Sequence, residues 1–386
     1  MGLSLSARSD CVMQSEIRNM SIECEKVGGI NLSQGVCDTE VPAAVRHAAA
    51  EAIEGGLNSY TRYDGIAALR REIARKVARL YGWEADPERE VVVTSGATGA
   101  FYCACLALLD PGDEVVLFEP FYGYHVSTLR AVGAVPRYVR MSPPDWTFDP
   151  RDLERAVTPR TRGIMISAPG NPSGKVFSGQ ELDQIAALAE GHDLFVFTDE
   201  IYEHFVYDGM AYLSPASLAH LRPRTIAISG LSKTFSITGW RIGYAVADER
   251  WARTIGYFSD LVYVCAPAPL QAGVARGLEV LPPEFYSSLA LEYQGKRDRM
   301  CTSLAKAGLR PYWPKGAYYV MADVTPLPGA TSKDKALALL ARTGVACVPG
   351  EAFFHDDSGR GLARFCFAKS DADLDEACRR LEALSG

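Results

Sequence analysis

The sequence lacks the features of nucleic-acid-binding and membrane proteins. Lysine and arginine (40 residues) are outnumbered by aspartate and glutamate (47), the formal net charge is -7, and no basic cluster of the kind that phosphate backbones require is present. No stretch approaches the roughly 18 apolar residues of a membrane-spanning helix, and the first twenty residues lack the apolar segment of a secretory signal. We therefore expect a cytoplasmic protein without nucleic-acid or membrane partners.

Cysteine pairs with metal-binding or redox spacing are also missing. The ten cysteines are scattered along the chain, and no two of them have the CxxC spacing, so the pattern indicates neither a zinc site nor a disulfide framework. We interpret them as reduced, mostly buried apolar side chains, and we predict no metal.

With 386 residues and 48% hydrophobic composition, the chain can bury a large core and form about two domains.

The middle of the chain alternates between strand-like and helix-like segments. Short β-branched or aromatic runs are bounded by glycine, proline and aspartate: EVVVTSG (90–96), DEVVLFEP (113–120), TRGIMISAPG (161–170), DLFVFTDE (193–200), RTIAISG (224–230) and RIGYAVA (241–247). Helix-like stretches such as 99–110 and 178–191 lie between several of them. Apolar strands that alternate with helices predict an α/β domain whose mostly parallel central sheet is flanked by helices.

The segment that begins near residue 280 has a different pattern. Its helix-like stretches KDKALALLARTG and DADLDEACRRLEAL alternate with the strand-like AYYVMADV, VACVPG and LARFCFA. This order is typical of a smaller α+β domain. We expect a large domain over residues 41–275, and a small domain formed by residues 1–40 and 276–386.

Ligands of open α/β sheets gather at the carboxyl ends of the strands, so the residues that follow the predicted strands form the candidate site. These residues are Gly96, Ala97, Thr98, Asn171, Asp199, Tyr202, Ser232 and Lys233. The segment TSGATGA (94–100) joins a strand to a helix through small residues, which leaves backbone N–H groups and the positive helix end free to bind an anion. An ordinary tight turn would have the same composition.

Two polar side chains of this set have a structural alternative. Asp199 ends the strand LFVFTD, where a carboxylate is costly to desolvate without a cation or several donors. It would either face a protonated ring nitrogen or cap a helix formed by EIYEHFVY (200–207). Asn171 lies in the loop APGNPSGKVFS (168–178), where its amide would either donate to an anionic phenolate oxygen or only shape a turn.

Lys233 is the most informative residue of the set. It is flanked by serine, threonine and phenylalanine rather than by charged neighbours, and it follows a strand that we expect to be buried. Desolvation lowers the pKa of a lysine, and a neutral amine can form a Schiff base with an aldehyde. Arg241, eight residues later, offers a fork of donors that matches a phosphate, although it can also form a surface ion pair.

The stretch GLSKTFSITGWRIG (230–243) is similar over its whole length to the lysine motif of the class I and II aminotransferases, which are pyridoxal-phosphate enzymes of fold type I. The other motifs follow in that family's order over nearly the entire chain. The resemblance implies the cofactor pyridoxal 5'-phosphate and transfer of the amino group of an L-amino acid to a 2-oxo acid. A C–S β-lyase or an aminocyclopropane carboxylate synthase-like enzyme is the alternative on the same scaffold, and a regulatory protein without catalysis is a third.

The resemblance also implies roles for individual residues. Lys233, Asp199 and Tyr202 resemble the catalytic set. The residues that resemble the cofactor's phosphate site are Gly96, Ala97, Thr98, Ser232 and Arg241. Those that resemble its ring site are Tyr122, which stacks on the ring, Asp199 at the ring nitrogen, and Asn171 and Tyr202 at the ring oxygen. Those that resemble the substrate site are Gly35 in the N-terminal loop, Asn171, and Arg364 in LARFCFA, which holds the α-carboxylate.

Two positions bear on assembly and on the phosphate site. Tyr60 resembles a tyrosine that reaches the phosphate of the neighbouring subunit, which implies a homodimer. Gly230 stands where some members of the family carry a hydroxyl, so Ser232 would take over more of that task.

The identity of the amino donor is open at this stage. Thr98 stands where some bacterial relatives place a lysine for a distal carboxylate, which disfavours a dedicated aspartate enzyme. Several tyrosines lie in the motifs of the expected site. We place aromatic, methionine or glutamine-like donors ahead of aspartate, although aromatic residues also fill ordinary cores.

Overall fold

The computed structural model describes residues 3–6, 8–9 and 14–385. Within these ranges the chain forms twelve α-helices and fourteen β-strands. The helices are α1 (Glu16–Lys26), α2 (Ala43–Glu54), α3 (Ala67–Tyr81), α4 (Gly96–Leu108), α5 (Gly123–Val132), α6 (Pro150–Ala156), α7 (Gly179–Gly191), α8 (Glu249–Tyr263), α9 (Ala268–Val280), α10 (Pro283–Lys306), α11 (Ser332–Thr343) and α12 (Asp371–Glu382). The strands are β1 (Ile30–Asn31), β2 (Val91–Ser95), β3 (Glu114–Glu119), β4 (Val135–Ser142), β5 (Thr147–Phe148), β6 (Thr161–Ser167), β7 (Phe195–Asp199), β8 (Thr225–Gly230), β9 (Ile242–Val246), β10 (Arg310–Tyr312), β11 (Tyr319–Asp323), β12 (Val345–Ala346), β13 (Val348–Pro349) and β14 (Leu362–Cys366).

The central sheet has eight strands in the order β2-β9-β8-β7-β6-β3-β4-β5. Neighbouring strands from β8 to β4 run parallel, β9 is antiparallel to both of its neighbours, and β5 is antiparallel at the edge. This architecture confirms the prediction of a mostly parallel α/β sheet. Every residue of β3 and β8 is buried, as expected for strands that are covered by helices on both faces.

The two faces of this sheet pack into separate cores. Along β9, Tyr244 points into the core that includes Val77 of α3, whereas Ala245 points into the core that includes Ala104 of α4. Successive side chains of a strand point to opposite faces, so one short strand contributes to both cores.

The C-terminal part of the chain contains an antiparallel sheet in the order β10-β11-β14-β13, together with α10, α11 and α12. The N-terminal segment joins this part, because β1 pairs in parallel with β12 through Ile30 and Val345. We propose that the large domain comprises residues 41–275 and that the small domain comprises residues 1–40 and 276–386. Helix α9 crosses the boundary at residue 275.

The predicted helix EIYEHFVY (200–207) is wrong. Residues 201–204 form turns, and Val206 forms an isolated bridge with Gly316. Nearly every side chain of the segment is buried, so it has no solvent-facing side of the kind that an amphipathic helix presents. Its backbone bonds instead to distant residues, for example Tyr207 N–H to the Lys315 carbonyl at 3.0 Å.

Two observations concern the environment of the protein. Among the residues that the structure describes, no helix combines the length and the apolarity needed to cross a membrane. The nine cysteines within the described ranges are free, and all but Cys265 are buried. Cys11 lies outside the described residues.

Candidate active site

A cavity of about 780 Å³ lies at the carboxyl ends of the central strands and is bounded by α1 and by the C-terminal sheet. Eleven of the thirteen predicted site residues line it: Gly35, Ala97, Thr98, Tyr122, Asn171, Asp199, Tyr202, Ser232, Lys233, Arg241 and Arg364. Gly96 lies directly behind its wall. The structure therefore brings together residues that are separated by more than 300 positions in the sequence.

The N-terminus of α4 is one wall of the cavity. The helix begins at Gly96 directly after β2, and Ser95 makes no side-chain cap there, so the first N–H groups are free to meet an anion. A Cβ on Gly96 would lie 2.3 Å from a guanidinium nitrogen of Arg241, and a Cβ on Gly243 would lie 2.3 Å from the backbone nitrogen of Ala97. Only glycine at these positions lets Arg241 and β9 approach the helix so closely.

Lys233 is a half-buried amine on the loop that follows β8. Its Nζ donates to the carbonyl oxygen of Gly35 at 3.0 Å and lies 5.9 Å from the ring centre of Tyr318. Burial lowers the pKa of Lys233, and the charge of Arg241 adds to this effect. The amine therefore loses its proton more easily than a lysine in water, as a nucleophile or base must.

Gly35 packs against the opposite side of the cavity. Its carbonyl oxygen also accepts a hydrogen bond from the Tyr318 hydroxyl at 3.1 Å. A Cβ on Gly35 would lie 1.7 Å from the hydroxyl oxygen of Tyr319. The N-terminal loop can therefore cover Lys233 only because residue 35 has no side chain.

Asp199 ends β7 and projects into the cavity. One carboxylate oxygen lies 3.0 Å from Nε2 of His125, and the other accepts the Ile201 N–H at 3.4 Å. Because no helix follows, the alternative that Asp199 is a helix cap is wrong. His125 was not among the predicted site residues, although its position three residues after Tyr122, in the first turn of α5, was a signal that it faces the same site.

The aromatic residues of the cavity form a connected set. The hydroxyl groups of Tyr202 and Tyr319 lie 2.9 Å apart, and burial raises the pKa of both residues, so both remain protonated and able to donate. The ring of Tyr122 stacks on that of Tyr124 with the centroids 5.2 Å apart, and it meets His125 edge-on at 5.3 Å. Tyr319 is a second residue of the cavity that was not predicted from the sequence.

Arg364 lies in β14 and is fully buried. One terminal nitrogen donates to Oδ1 of Asn171 at 2.7 Å, and the other donates to the Ser33 carbonyl. The guanidinium lies 4.2 Å from the ring centre of Tyr319. Its Nε has no partner among the described residues. A buried cation with an unused donor is suited to an anionic ligand.

Two further predicted positions lie outside the cavity lining. Tyr60 is 83% exposed, and this single chain does not bring it to the site, so its role toward a neighbouring subunit stays a prediction. Gly230 is closely packed, since a Cβ there would lie 2.9 Å from the carbonyl oxygen of Ile242. The absence of a hydroxyl at this position therefore has a packing reason.

Comparison with known proteins agrees with this geometry. The family model "Aminotransferase class I and II" matches residues 27–381. A probable N-succinyldiaminopimelate aminotransferase DapC of Mycobacterium tuberculosis (strain CDC 1551 / Oshkosh) is 38% identical over 377 residues, which cover 95% of each chain. Kynurenine–oxoglutarate transaminase 3 of Rattus norvegicus is 33% identical over 419 residues, and the match covers 98% of this chain and 92% of the relative.

A solved structure shares the whole fold. YbdL from Escherichia coli, which is described as having a methionine aminotransferase function, superposes with a TM-score of 0.95 at 30% identity, covering 99% of this chain and 100% of the other. The family, the fold class, the aminotransferase activity and the cofactor that the lysine motif predicted are thereby confirmed. The reacting partners are an amino acid and a 2-oxo acid. Because the family model and these relatives match the chain over nearly its whole length, the chain belongs to the class I and II aminotransferases and transfers amino groups by means of pyridoxal phosphate.

Proposed function

We propose that Lys233 is the amine that attaches the cofactor and moves the proton at the substrate Cα, in a reaction that passes the amino group of an L-amino acid to a 2-oxo acid. The observation that carries this proposal is the half-buried Lys233 with its lowered pKa. The amine shares a cavity with an uncapped helix N-terminus and with a buried arginine that has a donor to spare.

The donors around the cavity fit a planar, phosphorylated aldehyde. The N–H groups at the start of α4, the Ser232 hydroxyl and the Arg241 guanidinium would hold a phosphate. Tyr122 offers a ring face. Because Oδ1 of Asn171 already accepts from Arg364, the amide nitrogen of Asn171 is left to donate, as the protonated Tyr202 hydroxyl is, to an oxygen of the ring.

When bound, pyridoxal phosphate supplies an aldehyde that reacts with amines and a ring that takes up the electrons released at Cα. The chain's own groups do the rest. Lys233 accepts the Cα proton once its amine is free. Asp199, oriented by His125, holds a proton at the ring nitrogen.

Arg364 binds the α-carboxylate of the amino acid and thereby orients the Cα–H bond toward Lys233. Its planar fork matches a carboxylate, and its stacking on Tyr319 limits the movement of the guanidinium. In the apoprotein, the Gly35 carbonyl would hold Lys233 until the cofactor arrives. The N-terminal loop that carries Gly35 would also exclude water from the cavity.

We propose aromatic, methionine or glutamine-like amino donors ahead of aspartate. Ile17 and Ile22 of α1, with Tyr122 and Tyr124, contribute apolar surface to the cavity, beside the charged Arg18 and Glu25 of the same helix. The relatives are named for donors as different as N-succinyldiaminopimelate, kynurenine and methionine, which supports a roomy site rather than one donor. A panel of amino acids, followed by the change in cofactor absorbance, would rank them.

We propose that the enzyme is a cytoplasmic homodimer in which Tyr60 reaches the neighbouring active site. Tyr60 belongs to the same loop as Tyr63, whose ring contacts Tyr257 of α8 at 5.4 Å. Tyr257 and Leu261 on that helix are 55% and 79% exposed. Such an apolar surface is suited to a second copy of the chain. Leu261→Glu should shift sedimentation from dimer to monomer if the proposal holds.

The decisive test is borohydride reduction of the holoenzyme followed by peptide mapping. The reduced adduct should lie on Lys233, and Lys233→Ala should lower kcat by about 10³-fold or more, because nucleophile and base are lost together. An adduct on another lysine, or parental turnover by Lys233→Ala, would overturn the assignment.

Incubation with S-substituted cysteines tests the lyase alternative, since pyruvate and ammonia formed without an oxo acid would mark elimination.

A further inference from the structure

A second cluster of polar and charged side chains lies behind the cavity, in the core of the large sheet. Nζ of Lys76 on α3 lies 2.6 Å from Oε1 of Glu203, and both side chains are 1% exposed. The same carboxylate oxygen accepts the Ser229 hydroxyl at 2.8 Å, and Lys76 donates to the Tyr244 hydroxyl at 2.8 Å. Tyr81 donates to the other oxygen of Glu203. None of these five residues lines the cavity.

The two central groups form a true ion pair. Burial by itself would lower the pKa of Lys76, but the facing carboxylate of Glu203 raises it above its ordinary value. Burial would likewise raise the pKa of Glu203, yet the charge of Lys76 holds it below its usual range. Both shifts favour the charged forms. Because a buried charge without a partner is strongly destabilising, the groups around this pair have little freedom to move apart.

The position of these residues in the chain connects the cluster to the site. Glu203 directly follows Tyr202. Ser229 lies four residues before Lys233, and Tyr244 lies three residues after Arg241. Each of these three cluster members therefore lies within four residues of a group that we assign to the cofactor, namely Tyr202, Lys233 or Arg241. The three members come from the turn after β7, from β8 and from β9. Lys76 of α3 bonds directly to Glu203 and Tyr244, and Ser229 joins the cluster through Glu203.

We infer that the Lys76–Glu203 pair is a positioning device, which holds these three segments in register so that Tyr202, Lys233 and Arg241 converge on the cofactor. The inference rests on the proposed roles of those three residues. A merely structural pair would change the stability of the protein and leave the affinity of the folded apoprotein for the cofactor as it was.

The test compares Glu203→Gln and Tyr244→Phe with the control Lys296→Met. Lys296 is another buried lysine, with 3% side-chain exposure, and it pairs with Glu292 within α10. Each apoprotein is checked for folding by circular dichroism and then titrated with pyridoxal phosphate. The titration measures the dissociation constant, and the pH midpoint of the holoenzyme's visible absorbance is recorded.

We expect Glu203→Gln to weaken cofactor binding by about 10-fold or more and Tyr244→Phe to weaken it by about 3-fold, because both residues would orient groups that bind the cofactor. The affinity of the control Lys296→Met should stay within about 2-fold of the parent. The absorbance midpoint should move in the same two variants. A folded Glu203→Gln protein with the control's affinity and midpoint would overturn the inference. If Glu203→Gln does not fold, Tyr244→Phe decides by the same criterion. Failure of the proposed function would be seen separately, as a borohydride adduct away from Lys233.

Discussion

Nε2 of His125 lies 3.0 Å from a carboxylate oxygen of Asp199, which joins α5 to the end of β7. The two side chains are only 7% and 14% exposed. A carboxylate accepts hydrogen bonds and donates none, so the proton between the two groups belongs to the imidazole. The contact therefore fixes both the tautomer of His125 and the direction of the carboxylate that faces the cavity.

Replacing His125 tests this contact. His125→Phe leaves one oxygen of Asp199 without its partner, and we expect kcat/KM to fall by about 10- to 100-fold. His125→Gln places an amide donor near the position of Nε2 and should recover part of the loss. Steady-state kinetics with the same amino acid measure both variants. Equal losses in the two variants would show that the ring, and not its hydrogen bond, matters.

Gly35→Ala tests the closure of the N-terminal loop over Lys233. The new Cβ would lie 1.7 Å from the Tyr319 hydroxyl, so the loop must move and the hydrogen bond from Lys233 to its carbonyl should break. We expect kcat/KM to fall by about 10-fold or more, since misplacement by about 1 Å is costly for catalysis. Gly191→Ala is the control, because nothing lies within 4 Å of a Cβ there. Parental kinetics for Gly35→Ala would contradict the packing described above.

Arg364→Leu separates substrate binding from cofactor binding. The change removes the fork expected to hold the α-carboxylate, and kcat/KM should fall by about 100-fold or more, because an interaction with a charged group is worth about 3 kcal/mol. The dissociation constant of pyridoxal phosphate should change by less than about 3-fold in the same variant. Arg364→Lys keeps the charge but not the fork, and should remain impaired. A loss of cofactor affinity in place of substrate affinity would reassign the residue.

The lowered pKa of Lys233 predicts its reactivity in the apoprotein. Trinitrobenzenesulfonate should modify Lys233 at a lower pH than Lys306, whose side chain is 60% exposed. Peptide mapping by mass spectrometry across a pH series gives both midpoints. Coincident midpoints would show that burial does not depress the pKa of this amine.

The same shift predicts how apoprotein stability depends on pH. Between the lowered pKa of folded Lys233 and the ordinary lysine value, the unfolded chain binds more protons at this site than the folded chain. The site's contribution to the free energy of unfolding should therefore rise with pH across that window and level off above it. Lys233→Met should lack this rise when compared with the parent by urea denaturation. An equal slope in both proteins would contradict the prediction.

Much of the fold could be predicted because its signals are local. The strands β2, β3, β6, β7, β8 and β9 are short apolar runs between turn residues, and β3 and β8 are buried throughout, as that pattern predicts. The more polar β4 and the two-residue β5, at one edge of the sheet, were not predicted. The segment 200–207 shows the limit. Its two glutamates stand among β-branched and aromatic residues, which favour a helix only weakly. Its backbone bonds to residues such as Lys315, and nearly all of its side chains are buried. Those distant partners outweigh a weak local propensity.

The sequence by itself determined which chemical groups are the candidates for the reaction. The lysine of GLSKTFSITGWRIG, the small residues at the start of α4 and the arginine of LARFCFA are recognisable because their chemistry depends on residue type and close neighbours. Only the tertiary structure decided what holds them: His125 against Asp199, Gly35 beneath Tyr319, and Lys76 paired with Glu203. These contacts join residues 74 to 284 positions apart. Their existence depends on how whole helices and strands pack, which no short stretch of sequence encodes.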